Sequence, residues 1–77
     1  MGGQKIRDPA VMKKFGQRVL LLRKQKKLTQ QQLAIQAGLS TSQIARIETG
    51  KLNTTISTLF SIAKAIDVEL ADFFREF

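Results

Sequence analysis

Two four-residue signatures constrain this chain more than any other feature: Thr29-Gln30-Gln31-Gln32 and, eleven residues later, Ser40-Thr41-Ser42-Gln43. In each, a hydroxyl residue is followed three positions on by Gln, the spacing of a capping box. The hydroxyl oxygen takes a backbone N–H of the first turn, and the Gln side chain reaches back to the N–H of the cap. Two helix starts so close together leave room for a helix of about two turns between them. Gly38 stands two residues before the second cap, where a left-handed residue ends a helix. The chain therefore contains two short helices joined by the turn Gly38-Leu39. Helices that short are not stable alone in water, so flanking segments must supply a core for them.

Those segments also read as helices. Asp8-Pro9 is a helix start, with Asp as N-cap and Pro at the first helical position. After it, Val11, Phe15, Val19 and Leu22 form one apolar stripe to about Lys26, with Lys13, Lys14, Gln17, Arg18, Lys24 and Gln25 largely off it. Helix two offers Leu33, Ala34 and Ala37; helix three places Ile44 and Ile47 inward and stops at Gly50. Helix four starts near Thr55, carries Ile56, Leu59, Phe60, Ala63 and Ile66, and breaks at Asp67-Val68. Helix five has Glu69 at its start and presents Leu70, Phe73, Phe74 and Phe77. No segment alternates as a strand does, so the class is all-α with five helices. Residues 1–7 are expected to be a flexible arm and residues 8–77 a single domain, with no room for a second, ligand-sensing domain.

The 77 residues include no Cys and no His, which removes the usual thiol and imidazole chemistry, zinc sites and disulfides. No catalytic group, cofactor or metal is expected. A small domain without disulfides suits a reducing, cytoplasmic compartment. The longest apolar run, Val19-Leu20-Leu21-Leu22, is too short for a membrane span. The net charge of +7 is unevenly placed: residues 1–53 carry eleven basic and two acidic side chains, residues 54–77 two basic and four acidic. A field polarised in this way attracts a polyanion, nucleic acid in preference to a membrane surface.

A tight turn with Gly between two short helices is the helix-turn-helix layout, in which the second helix enters the DNA major groove. The run from Leu28 to Ser40, followed by Ile44, Ile47, Glu48 and Gly50, closely resembles the lambda-repressor-like (Cro/repressor, XRE) helix-turn-helix family. The likeness extends from about Phe15 to Phe74. It implies a five-helix DNA-binding domain with its helix-turn-helix at 29–50.

The recognition face follows from helix geometry as well. With Ile44 and Ile47 inward, Ser42, Ala45, Arg46 and Thr49 point outward, flanked by Thr41 and Gln43. Hydroxyls and one Arg suit base edges, Arg above all the O6 and N7 of guanine, while the methyl groups of Ala45 or Thr41 suit thymine. The resemblance implies base contacts from Thr41, Ser42 and Arg46. It implies phosphate contacts from Gln30 at the start of helix two, beside Thr29, which is more often a cap, and from Thr49, Lys51 and Asn53. Arg18, with Lys24, Lys26 and Lys27, adds longer-range attraction.

Glu48 lies near the C-terminus of helix three, where the helix dipole disfavours negative charge, and so calls for a cationic partner. The resemblance supplies Arg23 in a structural ion pair. One recognition helix reads few base pairs, so a twofold homodimer on a palindromic site is expected, with Leu70, Phe74 and Phe77 as its interface. The function expected is a sequence-specific double-stranded DNA-binding transcriptional repressor, acting on the nucleoid and controlled by its own concentration or a partner protein. The alternative is an antitoxin-type module that grips a toxin and autoregulates its operon.

Overall fold

The structure is a computed structural model that describes residues 8–51 and 54–75. It runs α1 (Pro9–Gln25), α2 (Gln30–Ala37), α3 (Thr41–Glu48) and α4 (Ile56–Ile66), then a 3₁₀ helix over Leu70–Phe74. The expected arm at 1–7, and Asn53 and Phe77, lie outside the described residues. No helix among the described residues is long and apolar enough to cross a membrane.

Each α-helix starts on a side-chain oxygen. Asp8 Oδ1 accepts the Ala10 N–H at 2.9 Å, with Pro9 in the first turn. Both capping boxes close: Thr29 Oγ1 accepts Gln32 N–H at 3.0 Å while Gln32 Oε1 accepts Thr29 N–H at 2.8 Å. Ser40 and Gln43 exchange the same two bonds at 3.0 and 2.9 Å. Thr55 Oγ1 caps α4 through the Thr58 N–H.

All four α-helices also end alike, on a left-handed residue followed by a backbone bond that reaches five residues back. The left-handed residues are Lys27, Gly38, Gly50 and Asp67. The return bonds run from Leu28 N–H to Arg23 O, Leu39 N–H to Ala34 O, Lys51 N–H to Arg46 O, and Val68 N–H to Ala63 O, at 2.8–3.1 Å. Gly38 takes this conformation without a side-chain penalty, which is why α2 and α3 can follow one another so closely.

The core consists of Phe15 and Val19 from α1, Leu33 and Ala34 from α2, Ile44 and Ile47 from α3, Leu59, Ile62, Ala63 and Ile66 from α4, and Phe73. Phe73 meets Phe15 edge to face at 5.2 Å between ring centres, which ties the C-terminal turn to α1.

Two expectations are corrected here. The fifth helix is a 3₁₀ turn and not an α-helix. A five-residue segment gains little from α-helical bonds, and Arg18 draws on its carbonyls instead, donating Nη1–H to Asp72 O at 2.8 Å and Nη2–H to Arg75 O at 2.9 Å. In α4 the inward face is rotated from the one expected. Leu59, Ile62, Ala63 and Ile66 face the core, whereas Ile56 and Phe60 are about half exposed, at 49% and 53%. At 100° per residue those two lie on one flank of the buried stripe and Ile62 on the other, so an apolar pattern wider than the core divided differently from the periodicity alone.

Candidate nucleic-acid interface

The site is built on α3 and the start of α2. Close contact between α1 and α3 fixes where α3 sits. Gly16, in the middle of α1, lies so near the end of α3 that a Cβ there would come within 2.2 Å of Ile47 O and 2.8 Å of Glu48 O. Gly50 also lies close to Lys13, where an added Cβ would be 2.9 Å from Lys13 Cα. The C-terminal end of α3 thus rests backbone to backbone on α1.

A buried ion pair reinforces that contact. Arg23 Nε donates to Glu48 Oε2 at 2.6 Å and Arg23 Nη2 to Glu48 Oε1 at 3.1 Å. The two side chains are 9% and 1% exposed. Arg23 Nη1 also donates to Leu28 O at 2.8 Å, and Gln30 Nε2 to Glu48 Oε1 at 3.0 Å. One carboxylate and one guanidinium therefore join α1, the loop after it, the start of α2 and the end of α3. The fork geometry of Arg permits this bidentate contact plus a third acceptor; Lys does not offer it.

With Ile44, Ile47 and Glu48 buried, α3 exposes Thr41, Ser42, Gln43 and Arg46, with Ala45 partly buried among them. The side chains of Thr41, Ser42 and Arg46 make no hydrogen bond or ion pair among the described residues. Gln43 is placed differently: its Oε1 is bonded to the Ser40 N–H, which leaves its amide nitrogen to face outward partners. Thr49 Oγ1 donates to Ala45 O at 3.1 Å or Arg46 O at 3.2 Å, so its hydroxyl proton is directed into the helix.

Of the residues expected near phosphate, Thr29 and Gln30 open α2, and Lys51 is exposed immediately after α3. The Thr29 oxygen accepts the cap bond, leaving the hydroxyl proton as a donor. Arg18 is placed differently: its guanidinium donates to the carbonyls of Asp72 and Arg75 at the C-terminal turn.

Of the residues expected at an interface, Leu70 is partly buried against the core, and Phe74 is 37% exposed with its ring stacked on Phe15 at 6.1 Å. Exposed apolar side chains not anticipated there are Leu21, Ile35 (72% exposed), Ile56 and Phe60. The bond from Gln30 to Glu48 and the close approach at Gly16 also went unanticipated. For Gly16 a signal existed: a glycine inside an amphipathic helix opposes helix propensity and asks for a packing reason.

Comparison with known proteins agrees with this geometry. A family profile described as helix-turn-helix matches residues 19–73. The chain is 45% identical to the immunity repressor protein of Bacillus phage phi105 over 73% of this chain and 39% of that protein. It is 42% identical to the HTH-type transcriptional regulator RghRB of Bacillus subtilis strain 168, over 69% of this chain and 41% of that one. It thus spans about two fifths of the length of these relatives. Among solved structures, the restriction-modification controller protein C.AhdI from Aeromonas hydrophila superimposes with a TM-score of 0.83 and 37% identity, covering 84% of this chain and 98% of that one. With the profile spanning most of its length, and with α2, the Gly38 turn and α3 arranged as described, the chain belongs to the lambda-repressor-like (Cro/repressor, XRE) helix-turn-helix DNA-binding family.

Proposed function

We propose that the protein is a sequence-specific double-stranded DNA-binding transcriptional repressor that occupies a palindromic operator as a homodimer, within the cytoplasm and on the nucleoid. The observation that carries this reading is the exposed face of α3, where Thr41, Ser42 and Arg46 stand without partners among the described residues on a helix locked to α1 from behind. Arg46 reads guanine through O6 and N7, Thr41 and Ser42 bond neighbouring base edges, and Ala45 or the Thr41 methyl meets thymine; Gln43 flanks them through its amide nitrogen. Gln30, Thr29 and Lys51 hold the phosphates on either side, with Thr49 after rotation of its hydroxyl and with Asn53 in the segment following Lys51. The dimer forms through apolar side chains: Ile56 and Phe60 of α4 and Phe74, which one copy leaves exposed, are its candidate contacts, with Leu70 and Phe77 beside them in the sequence reading.

The test is selection of bound sequences from random duplex DNA, followed by salt titration on the selected site. The expected result is a palindrome whose half-sites are about 34 Å apart and an affinity that falls steeply with salt. A flat sequence profile removes the specific reading.

The second reading, a module that grips a toxin and represses its own operon, is favoured by Ile35 and Phe60, which one copy leaves 72% and 53% exposed. Co-purification of a neighbouring gene product in a fixed ratio supports it. A stable, sequence-specific DNA complex formed without any partner argues against it.

A further inference from the structure

Glu48 has one more partner than an ion pair requires. Its Oε1 accepts both Arg23 Nη2–H at 3.1 Å and Gln30 Nε2–H at 3.0 Å, while Oε2 accepts Arg23 Nε–H at 2.6 Å. A carboxylate is acceptor-only, so these contacts fix which way round the Gln30 amide sits. Reversed, the amide would set its oxygen against a carboxylate oxygen. With the nitrogen held inward, one of its two hydrogens lies on Glu48 and the other remains a donor at the first residue of α2. Gln31 and Gln36 lie exposed on the same helix, and neither side chain has a hydrogen bond among the described residues.

We infer that Glu48, with Arg23 behind it, is a positioning residue for contact with the DNA backbone: it sets the Gln30 amide so that Nε2–H, and not the oxygen, is presented to a phosphate at the start of α2. The inference rests on the DNA-binding reading above. Two physical consequences make the arrangement effective. The rotamer freedom of a long amide side chain is surrendered on folding, so less is lost when DNA binds. Arg23 neutralises the carboxylate, so the phosphate does not meet an unbalanced negative charge behind the amide. The ion pair is thus both a clamp between helices and the rear support of a phosphate contact.

The test is a double-variant cycle on a selected duplex, combined with NMR relaxation of the side-chain amides in the free protein. Glu48→Gln keeps the size of the side chain and can still accept Arg23 Nε–H, but it places an NH₂ group toward Gln30 and reverses the amide. Glu48→Gln and Gln30→Ala are each expected to weaken binding about fivefold, and the double variant no further than either alone, at a temperature where circular dichroism shows every variant folded. In the free wild type, the Gln30 amide is expected to be ordered while those of Gln31 and Gln36 are averaged. Losses that multiply in the double variant overturn the inference, as does a Gln30 amide as mobile as Gln31. The relaxation measurement needs only the wild type, so a mobile Gln30 amide overturns the inference even where Glu48→Gln does not fold. A wild type that orders Gln30 yet binds no duplex overturns the DNA reading itself; one that binds duplex with a mobile Gln30 overturns the positioning alone.

Discussion

Arg23 and Arg46 carry the same charge and have opposite environments. Arg23 is 8% exposed and bonded to Glu48 and Leu28 O; Arg46 is exposed with no side-chain partner among the described residues. The first should therefore govern stability and the second recognition. Arg23→Ala leaves Glu48 buried and unpaired at the end of α3, where the helix dipole adds to the penalty, and should cost about 3–5 kcal/mol. A domain of this size is stable by only some ~4–12 kcal/mol, so a large fall in melting temperature by calorimetry is expected; an unchanged melting temperature contradicts the buried pair. The need of Glu48 for a cation was legible in the sequence, because an acid at a helix C-terminus demands one, but the choice of Arg23 among eleven basic side chains before residue 54 came from the family resemblance. The third partner, Gln30, was not legible, since Gln carries no charge imbalance to betray it, and three further Gln residues follow it on α2.

The caps at both ends of each helix decide where the elements lie, and they differ in how well the sequence suits them. The start signals, Asp8-Pro9, Thr29, Ser40 and Thr55, could be read from residue type because each has a side chain that does the capping. The end signals could be read at Gly38, Gly50 and Asp67 but not at Lys27, a Lys held at φ 59°. Lys27→Gly should relieve that strain at some entropic cost in the unfolded chain, leaving a gain of up to about 1 kcal/mol. A melting temperature several degrees higher is expected by circular dichroism, and a lower one would show that the Lys side chain contributes more than its backbone strain removes. Gly16→Ala is expected to act in the opposite sense. Its methyl group would strike backbone and not a yielding side chain, and α1 would have to part from α3. A loss of about 2–3 kcal/mol is predicted from denaturant titration; helix propensity alone predicts a gain of roughly 1 kcal/mol, so the sign of the change decides between them. The α4 face could be read only in part: the helix carries seven apolar residues among eleven, a pattern that does not reveal which of them the rest of the domain covers, and the fully buried Ile62 was left out of the expected stripe.

At the scale of the whole molecule, the large apolar side chains left exposed among the described residues are Ile56 and Phe60 on α4 and Phe74 in the C-terminal turn, together with Leu21 on α1 and Ile35 on α2. The charge of the sequence is strongly positive up to residue 53 and weakly negative after it. In the proposed homodimer, burying Phe60 against a copy of the same chain would account for a large aromatic side chain that is 53% exposed in one copy. Phe60→Glu should therefore yield a monomer by light scattering, with an unchanged circular dichroism spectrum and weaker operator binding; a variant that stays dimeric assigns the interface elsewhere. The central claim is that the outward face of α3 reads bases, and it is tested most directly by parallel selection of duplex sequences with wild type and Arg46→Ala. The account predicts palindromes with the same half-site spacing from both, with the preference for one guanine per half-site lost from the Arg46→Ala selection and discrimination there reduced by about 1–3 kcal/mol. An Arg46→Ala selection that keeps every base preference of the wild type contradicts it.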